Sequence, residues 1–153
     1  MNVKNLNVLL ADDDADDCLF FKQALEGLLL ASHLTTVNDG EQLMNYLNNV
    51  NVGAQNFVPQ PDVIFLDINM PRKSGIECLA EIRQNEKLKD IPVVMFSTSN
   101  DWDTIKQLFK SGANVYIHKP SDFEQLKQVI QHALPMASEK KVLNSPLKYV
   151  LNA

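Results

Sequence analysis

The chain has little cysteine: Cys18 and Cys78 stand apart, with no metal-ligand spacing around either. A disulfide scaffold is not expected; both read as small, half-buried apolar residues in a reducing compartment. No apolar run approaches the roughly 20 residues of a membrane span. Leu28-Leu29-Leu30 is short and closes a charged helix. The N-terminus lacks the basic-then-apolar layout of a signal peptide, so the expected location is cytoplasmic, with no membrane partner. Basic residues are outnumbered, 14 against 19, for a net charge of -5. That balance carries no nucleic-acid footprint. Histidine is sparse as well. His33 and His132 have no partners at metal spacing, and His118 reads as a surface or packing residue. A Gly-x-x-x-x-Gly-Lys loop is missing, which argues against kinase-type nucleotide binding. No internal repeat or low-complexity tract stands out.

What is present is a series of apolar runs that each end on a polar residue. Val8-Leu9-Leu10-Ala11 runs into Asp12, Asp13, Asp14, Asp16 and Asp17. Val63 to Leu66 ends on Asp67, Ile91 to Phe96 on Ser97, and Val115 to His118 on Lys119. Each run reads as a buried parallel strand, and in an open α/β sheet the carboxyl ends of such strands line one crevice. With 153 residues, 45% apolar and 22% charged, the chain suits one globular domain with a full core.

Strands and helices alternate five times. Strands are predicted at 5–11, 34–37, 62–67, 91–97 and 114–118, and helices at 15–30, 39–50, 75–85, 101–111 and 122–134. Capping-box patterns start three of the helices: Asp39 to Gln42, Ser74 to Glu77 and Ser121 to Glu124. Asn100 is the expected cap of the fourth helix, and Gly112 its stop. Repeated βα units imply a parallel sheet with helices on both faces. Five of them suit an α/β, flavodoxin-like, doubly wound five-stranded sheet of order 2-1-3-4-5. Asn51 to Pro61 is a long polar loop. Residues 1–135 form the expected domain. Residues 136–153 form a C-terminal tail, too short for an output domain yet apolar enough, at Val142-Leu143 and Leu147 to Leu151, to dock on something.

Two adjacent carboxylates, a third across the crevice, a lysine and a hydroxyl suit a divalent cation beside a phosphoryl group. Mg²⁺ prefers oxygen ligands and keeps several waters. Crowded carboxylates repel one another unless a cation is near. Lys119 supplies such a charge, and Ser97 a small donor. The competing explanation for aspartates beside helix starts is capping, worth roughly 1 kcal/mol each. It accounts for Asp14, Asp16 and Asp17. It does not account for Asp67, which Asn69, Met70 and Pro71 separate from the next helix.

Val8-Leu-Leu-Ala-Asp12-Asp13, Phe65-Leu-Asp67-Ile-Asn69-Met70-Pro71 with Gly75, Pro92 to Ser97, and Gly112 to Pro120 together resemble the receiver domain of two-component response regulators. The resemblance covers about residues 5–134. The aspartate-rich start, the long loop before the third strand and Gly112-Ala-Asn114 are similar to stand-alone receivers often paired with phytochrome-type histidine kinases. It implies that Asp67 is the phosphoacceptor. Asp13 would bind Mg²⁺ directly, Asp12 mainly through water, and Asn69 through its backbone carbonyl. Ser97 would hydrogen-bond the phosphoryl group and Lys119 would pair with it. Tyr116 would turn inward as Ser97 moves, and the Lys119–Pro120 bond would be cis. The implied partner is a histidine kinase or phosphotransfer protein. The implied output face is residues 101–134, serving partner docking or a homodimer with the tail. The implied role is signalling without enzymatic turnover of other substrates.

Two positions depart from the common pattern: Ser97 stands where threonine is usual, and Thr98 places a β-branched residue at the rim of the phosphoryl pocket. Two other functions remain open. A haloacid-dehalogenase-type phosphatase would also use a strand-end Asp and Mg²⁺, but its acid/base position here is Asn69, its nucleophile would lie on the third strand instead of the first, and no cap domain is present. A receiver-like scaffold that takes no phosphate would be favoured by loss of an acid or the lysine, and this chain keeps both.

Overall fold

Short β-branched and leucine-rich runs alternate with amphipathic segments, and the chain resolves the two patterns into a sheet between two helical layers. A computed structural model describes residues 5–50, 58–138 and 149–152. In chain order the elements are β1 (Leu6–Ala11), α1 (Ala15–Glu26), β2 (Ser32–Val37), α2 (Gly40–Asn48), β3 (Val63–Leu66), α3 (Gly75–Gln84), β4 (Val93–Ser97), α4 (Trp102–Lys110), β5 (Val115–His118), α5 (Phe123–Ala137) and β6 (Val150–Asn152). The sheet order is β2-β1-β3-β4-β5-β6. All pairings are parallel.

Successive side chains on a strand point to opposite faces, and the core divides accordingly. Leu9, Ala11, Ile64, Leu66, Val93, Met95 and Tyr116 face α2, α3 and α4. Val8, Leu10, Val63, Phe65, Val94, Phe96, Val115 and Ile117 face α1 and α5. On that second face Phe21 of α1 packs edge-on against Phe65 and Phe96, with ring centroids 4.9 and 5.7 Å apart. Both faces of β3 and β4 are buried, so these strands read as unbroken apolar runs.

The sheet differs from the expected five strands by one. Part of the tail forms β6, whose Val150, Leu151 and Asn152 lie in register with Tyr116, Ile117 and His118. Tyr149, just before it, is fully buried. The apolar tail thus covers the edge of β5, which would otherwise present unpaired backbone groups. Val142, Leu143 and Leu147 lie outside the described residues, as does most of the Asn51–Pro61 loop; beside that loop Val50 bridges Val58.

The other corrections are local. Helix α1 stops at Glu26 because Gly27 follows, and Leu29 beyond it is fully exposed. Strand β4 starts at Val93, since Pro92 has no N–H for a ladder. The cap of α4 is Asp101 in place of Asn100, and that of α5 is Asp122 in place of Ser121; each accepts a hydrogen bond from a first-turn backbone N–H. An ionised carboxylate one residue later is the stronger acceptor at a helix N-terminus. The Ser74–Glu77 capping box forms, whereas Gln42 reaches past Asp39 to the Asn38 N–H. Helix α5 continues through Pro135 to Ala137, past the expected boundary at 135. Gly112 follows α4 with φ +108°, the conformation that favours glycine. No peptide bond among the described residues is cis, so Lys119–Pro120 is trans; its turn is held by the Lys119 N–H donating to the Ser97 carbonyl at 2.8 Å.

Candidate functional site

The order β2-β1-β3 reverses direction between β1 and β3, and their carboxyl ends open a crevice there. Asp12 and Asp13 follow β1, and Asp67 follows β3, with its N–H donating to the Ala11 carbonyl at 3.0 Å. One oxygen from each of Asp12, Asp13 and Asp67 falls within 4.8 Å of the others. Asp12 is completely buried, Asp67 nearly so, and Asp13 exposed. Three oxygen donors of this kind, open to solvent on the Asp13 side, fit a hard divalent cation that retains waters.

Lys119 crosses from the end of β5 to close the group. Its Nζ lies 2.8 Å from Asp12 Oδ2, 3.0 Å from Asp17 Oδ2 and 3.4 Å from Asp67 Oδ2. It also sits 5.2 Å from the centre of the Phe96 ring. Burial alone would lower the affinity of this amine for its proton. The hydrogen bond to Asp12, the charges of Asp67 and Asp12 and the hydrogen bond to Asp17 outweigh that and raise it above the ordinary lysine value. Asp67 goes the other way: burial pushes its carboxyl up from 3.8 to about 6, against the pull of Lys119 and with the Asp12 charge adding to the rise. Three carboxylates share one ammonium and Asp13 adds a fourth acid beside them, so the site retains a negative excess that a cation would relieve.

Backbone geometry holds the set in place. The Asp14 N–H donates to Asp12 Oδ1 at 3.0 Å, and the Asn38 side-chain amide donates to the Asp12 carbonyl at 3.3 Å. Gly75 approaches so closely that an added Cβ would collide with the Asp67 carbonyl oxygen. Its N–H donates to the Ile68 carbonyl at 2.8 Å, fixing the loop through exposed Asn69. Arg72 in this loop has φ 70°, a strained value for a residue with a side chain.

Ser97 is fully buried at the end of β4, and its Oγ accepts the Ser99 N–H at 3.2 Å. Tyr116 points inward, 1% exposed, and its hydroxyl donates to the Ser99 carbonyl at 2.7 Å. The tyrosine is thus tied to the β4–α4 loop that carries Ser97. Thr98 is exposed, and its carbonyl lies 3.0 Å from His118 Nε2. Trp102, 40% exposed, starts α4. Both cysteines are free, and burial pushes each thiol up to about 11, so neither offers a thiolate at neutral pH.

The crevice therefore gathers Asp12, Asp13, Asp67 and Lys119, with Ser97 on the adjacent β4 and Tyr116 on β5 beyond it. Asp17 was expected only as a first-turn acid and is instead a Lys119 partner. The signal for it is positional: Asp14 caps α1, and side chains in a first turn lean back toward the helix start, here toward the strand ends. Arg83 is a second unexpected centre, far from the crevice. It donates to the carbonyls of Gly112, Lys89 and Ile91 and to Asn114 Oδ1, joining the starts of β4 and β5.

A parallel sheet of this order with strand-end acids and a lysine defines a class, and comparison with known proteins agrees: residues 8–131 match the response regulator receiver domain. The chain belongs to that family. Response regulator Rcp1 of Synechocystis sp. is 33% identical over 124 residues, covering 81% of this chain and 83% of that protein. The phosphorylated cyanobacterial phytochrome response regulator RcpA superposes with a TM-score of 0.75 at 35% identity, over 84% of this chain and 91% of that one. The Mn²⁺-bound form of Rcp1 gives 0.75 at 31% identity, over 90% and 97%. Receiver domains as a class take their signal from a histidine kinase or phosphotransfer protein.

Proposed function

We propose that the chain is a response regulator receiver that accepts a phosphoryl group on Asp67 and signals through a changed docking surface. The observation that carries this reading is the Lys119 ammonium held between Asp12 and Asp67 beside the Asp12–Asp13–Asp67 oxygen set. Asp12, Asp13, Asp67 and the Asn69 backbone carbonyl would hold Mg²⁺. Bound there, the cation supplies charge neutralisation for the phosphoryl oxygens. An Asp67 oxygen attacks phosphorus as the P–N bond of a phosphohistidine breaks, and the departing imidazole nitrogen takes up a proton. Lys119 and Ser97 hold phosphoryl oxygens, and such a transfer depends mainly on positioning.

Tyr116 is the proposed relay. Its bond to Ser99 links the pocket to α4, β5 and α5, residues 101–134, as the output face. Because β6 lies on the β5 edge, a second copy would meet α4, α5 and the outer edge of β6. A homodimer there and the division into a 1–135 domain and a 136–153 tail belong to this proposal. So do a cytoplasmic location, a role without nucleic acid or membrane, and action without turnover of other substrates. No helix among the described residues is long and apolar enough to cross a membrane. The phosphatase alternative is weakened by Asn69, which cannot serve as its acid/base. Incubation with acetyl phosphate and Mg²⁺ should label the unaltered chain and not Asp67→Asn. Equal labelling of both would refute the assignment, and labelling of neither would favour a scaffold.

A further inference from the structure

Lys119 has three carboxylate partners, and one of them has no part in the chemistry proposed above. Asp12 and Asp67 both belong to the cation set; Asp17 does not. Yet Asp17 Oδ2 lies 3.0 Å from Lys119 Nζ, closer than Asp67 Oδ2 at 3.4 Å. Its backbone is pinned, since the Asp17 N–H donates to the Asp14 cap at 3.0 Å. The lysine side chain is only 11% exposed, so its ammonium can choose only among nearby anions. A cation on Asp12 and Asp67 would draw their charge away from Lys119. Asp17 would then be the anion on the opposite side that keeps its full attraction for the ammonium.

We propose that Asp17 is a positioning residue: it holds the Lys119 ammonium toward α1, competes with the phosphoryl group for it, and so weakens the grip of the site on that group. The inference rests on the phosphoacceptor reading of Asp67. Side-chain exposure of 42% at Asp17 keeps the competition modest, because solvent screens the pair. Asp16, exposed one position earlier, carries the same charge in the same helical turn and forms no ion pair with Lys119. It separates a pairing effect from a field effect.

The test uses the full chain with saturating Mg²⁺ and beryllium fluoride as the phosphoryl analogue, its bound form counted by fluorine NMR. Asp17→Asn should bind the analogue about threefold to fivefold more tightly. Asp17→Glu, which keeps the charge, should restore much of the original affinity, and Asp16→Asn should give a clearly smaller gain than Asp17→Asn. In a Lys119→Met background the Asp17→Asn gain should vanish, because the residue acts through the lysine. Unchanged or weaker binding in Asp17→Asn overturns the proposal. So does an equal gain in Asp16→Asn, or a gain that survives removal of Lys119. If Lys119→Met binds too weakly to measure, the comparison with Asp16→Asn decides. Normal binding by Asp67→Asn would defeat the phosphoacceptor reading itself. Binding that needs Asp67 but ignores Asp17 would defeat this inference alone.

Discussion

Replacing Asp67 with asparagine should make the metal-free protein more stable at neutral pH. The side chain is buried among other acids, and that burial raises its carboxyl from 3.8 to about 6. A raised carboxyl means that the fold disfavours the ionised form. Below about pH 4 the acid is protonated in folded and unfolded chains alike, and the fold bears no cost. Between about pH 4 and 6 the unfolded chain ionises while the folded one resists, so stability falls as pH rises. Above about 6 the full cost is present, on the order of 3 kcal/mol for a displacement of this size. Lys119 loses little in the variant, because its shorter contacts are to Asp12 and Asp17 at 2.8 and 3.0 Å. Urea denaturation in chelator should therefore show Asp67→Asn more stable by about 1–3 kcal/mol at pH 7.5, with an advantage about 2 kcal/mol smaller at pH 4.5. Saturating Mg²⁺ should narrow the gap at pH 7.5, since a ligand that prefers the ionised acid stabilises only the unaltered fold. A destabilised variant, or an advantage independent of pH, would refute this account of the site.

Asp13→Ala should weaken Mg²⁺ binding by on the order of tenfold or more, while Lys119→Ala leaves it intact or tightens it, because the ammonium competes for the same oxygens; undiminished affinity in Asp13→Ala by calorimetry would contradict this. Gly75→Ala should cost about 1–3 kcal/mol in urea denaturation, since its Cβ strikes the Asp67 carbonyl; a loss near zero would mean that the loop yields freely. Tyr149→Ala should undock β6 and speed hydrogen exchange of the β5 amides that face it by roughly tenfold or more, with β1 and β3 amides unchanged. Thr98→Ala should shorten the lifetime of the phosphorylated protein by opening the line of water attack; an unchanged rate would point to Asn69 and Ser99 instead.

Sequence alone determined the elements whose signals are local. Apolar runs of strand length ending on Asp12, Asp67, Ser97 and Lys119 had one economical arrangement, because right-handed βα crossovers bring the carboxyl ends of parallel strands to one edge. Caps were legible to within a residue, since each depends on a side chain two or three positions from the N–H that it serves. Tertiary structure decided what depends on distant partners. The tail shows no strand period of its own, and it becomes β6 only because the edge of β5 offers unpaired backbone groups beside Tyr116. Arg83 joins two loops that no local pattern connects. Asp17 looks like any first-turn acid until Lys119, more than a hundred positions away, arrives 3.0 Å from it. The inward placement of Tyr116 belongs to the same group: an aromatic on a strand is apolar surface in sequence, and only the folded β4–α4 loop supplies the Ser99 carbonyl that holds it.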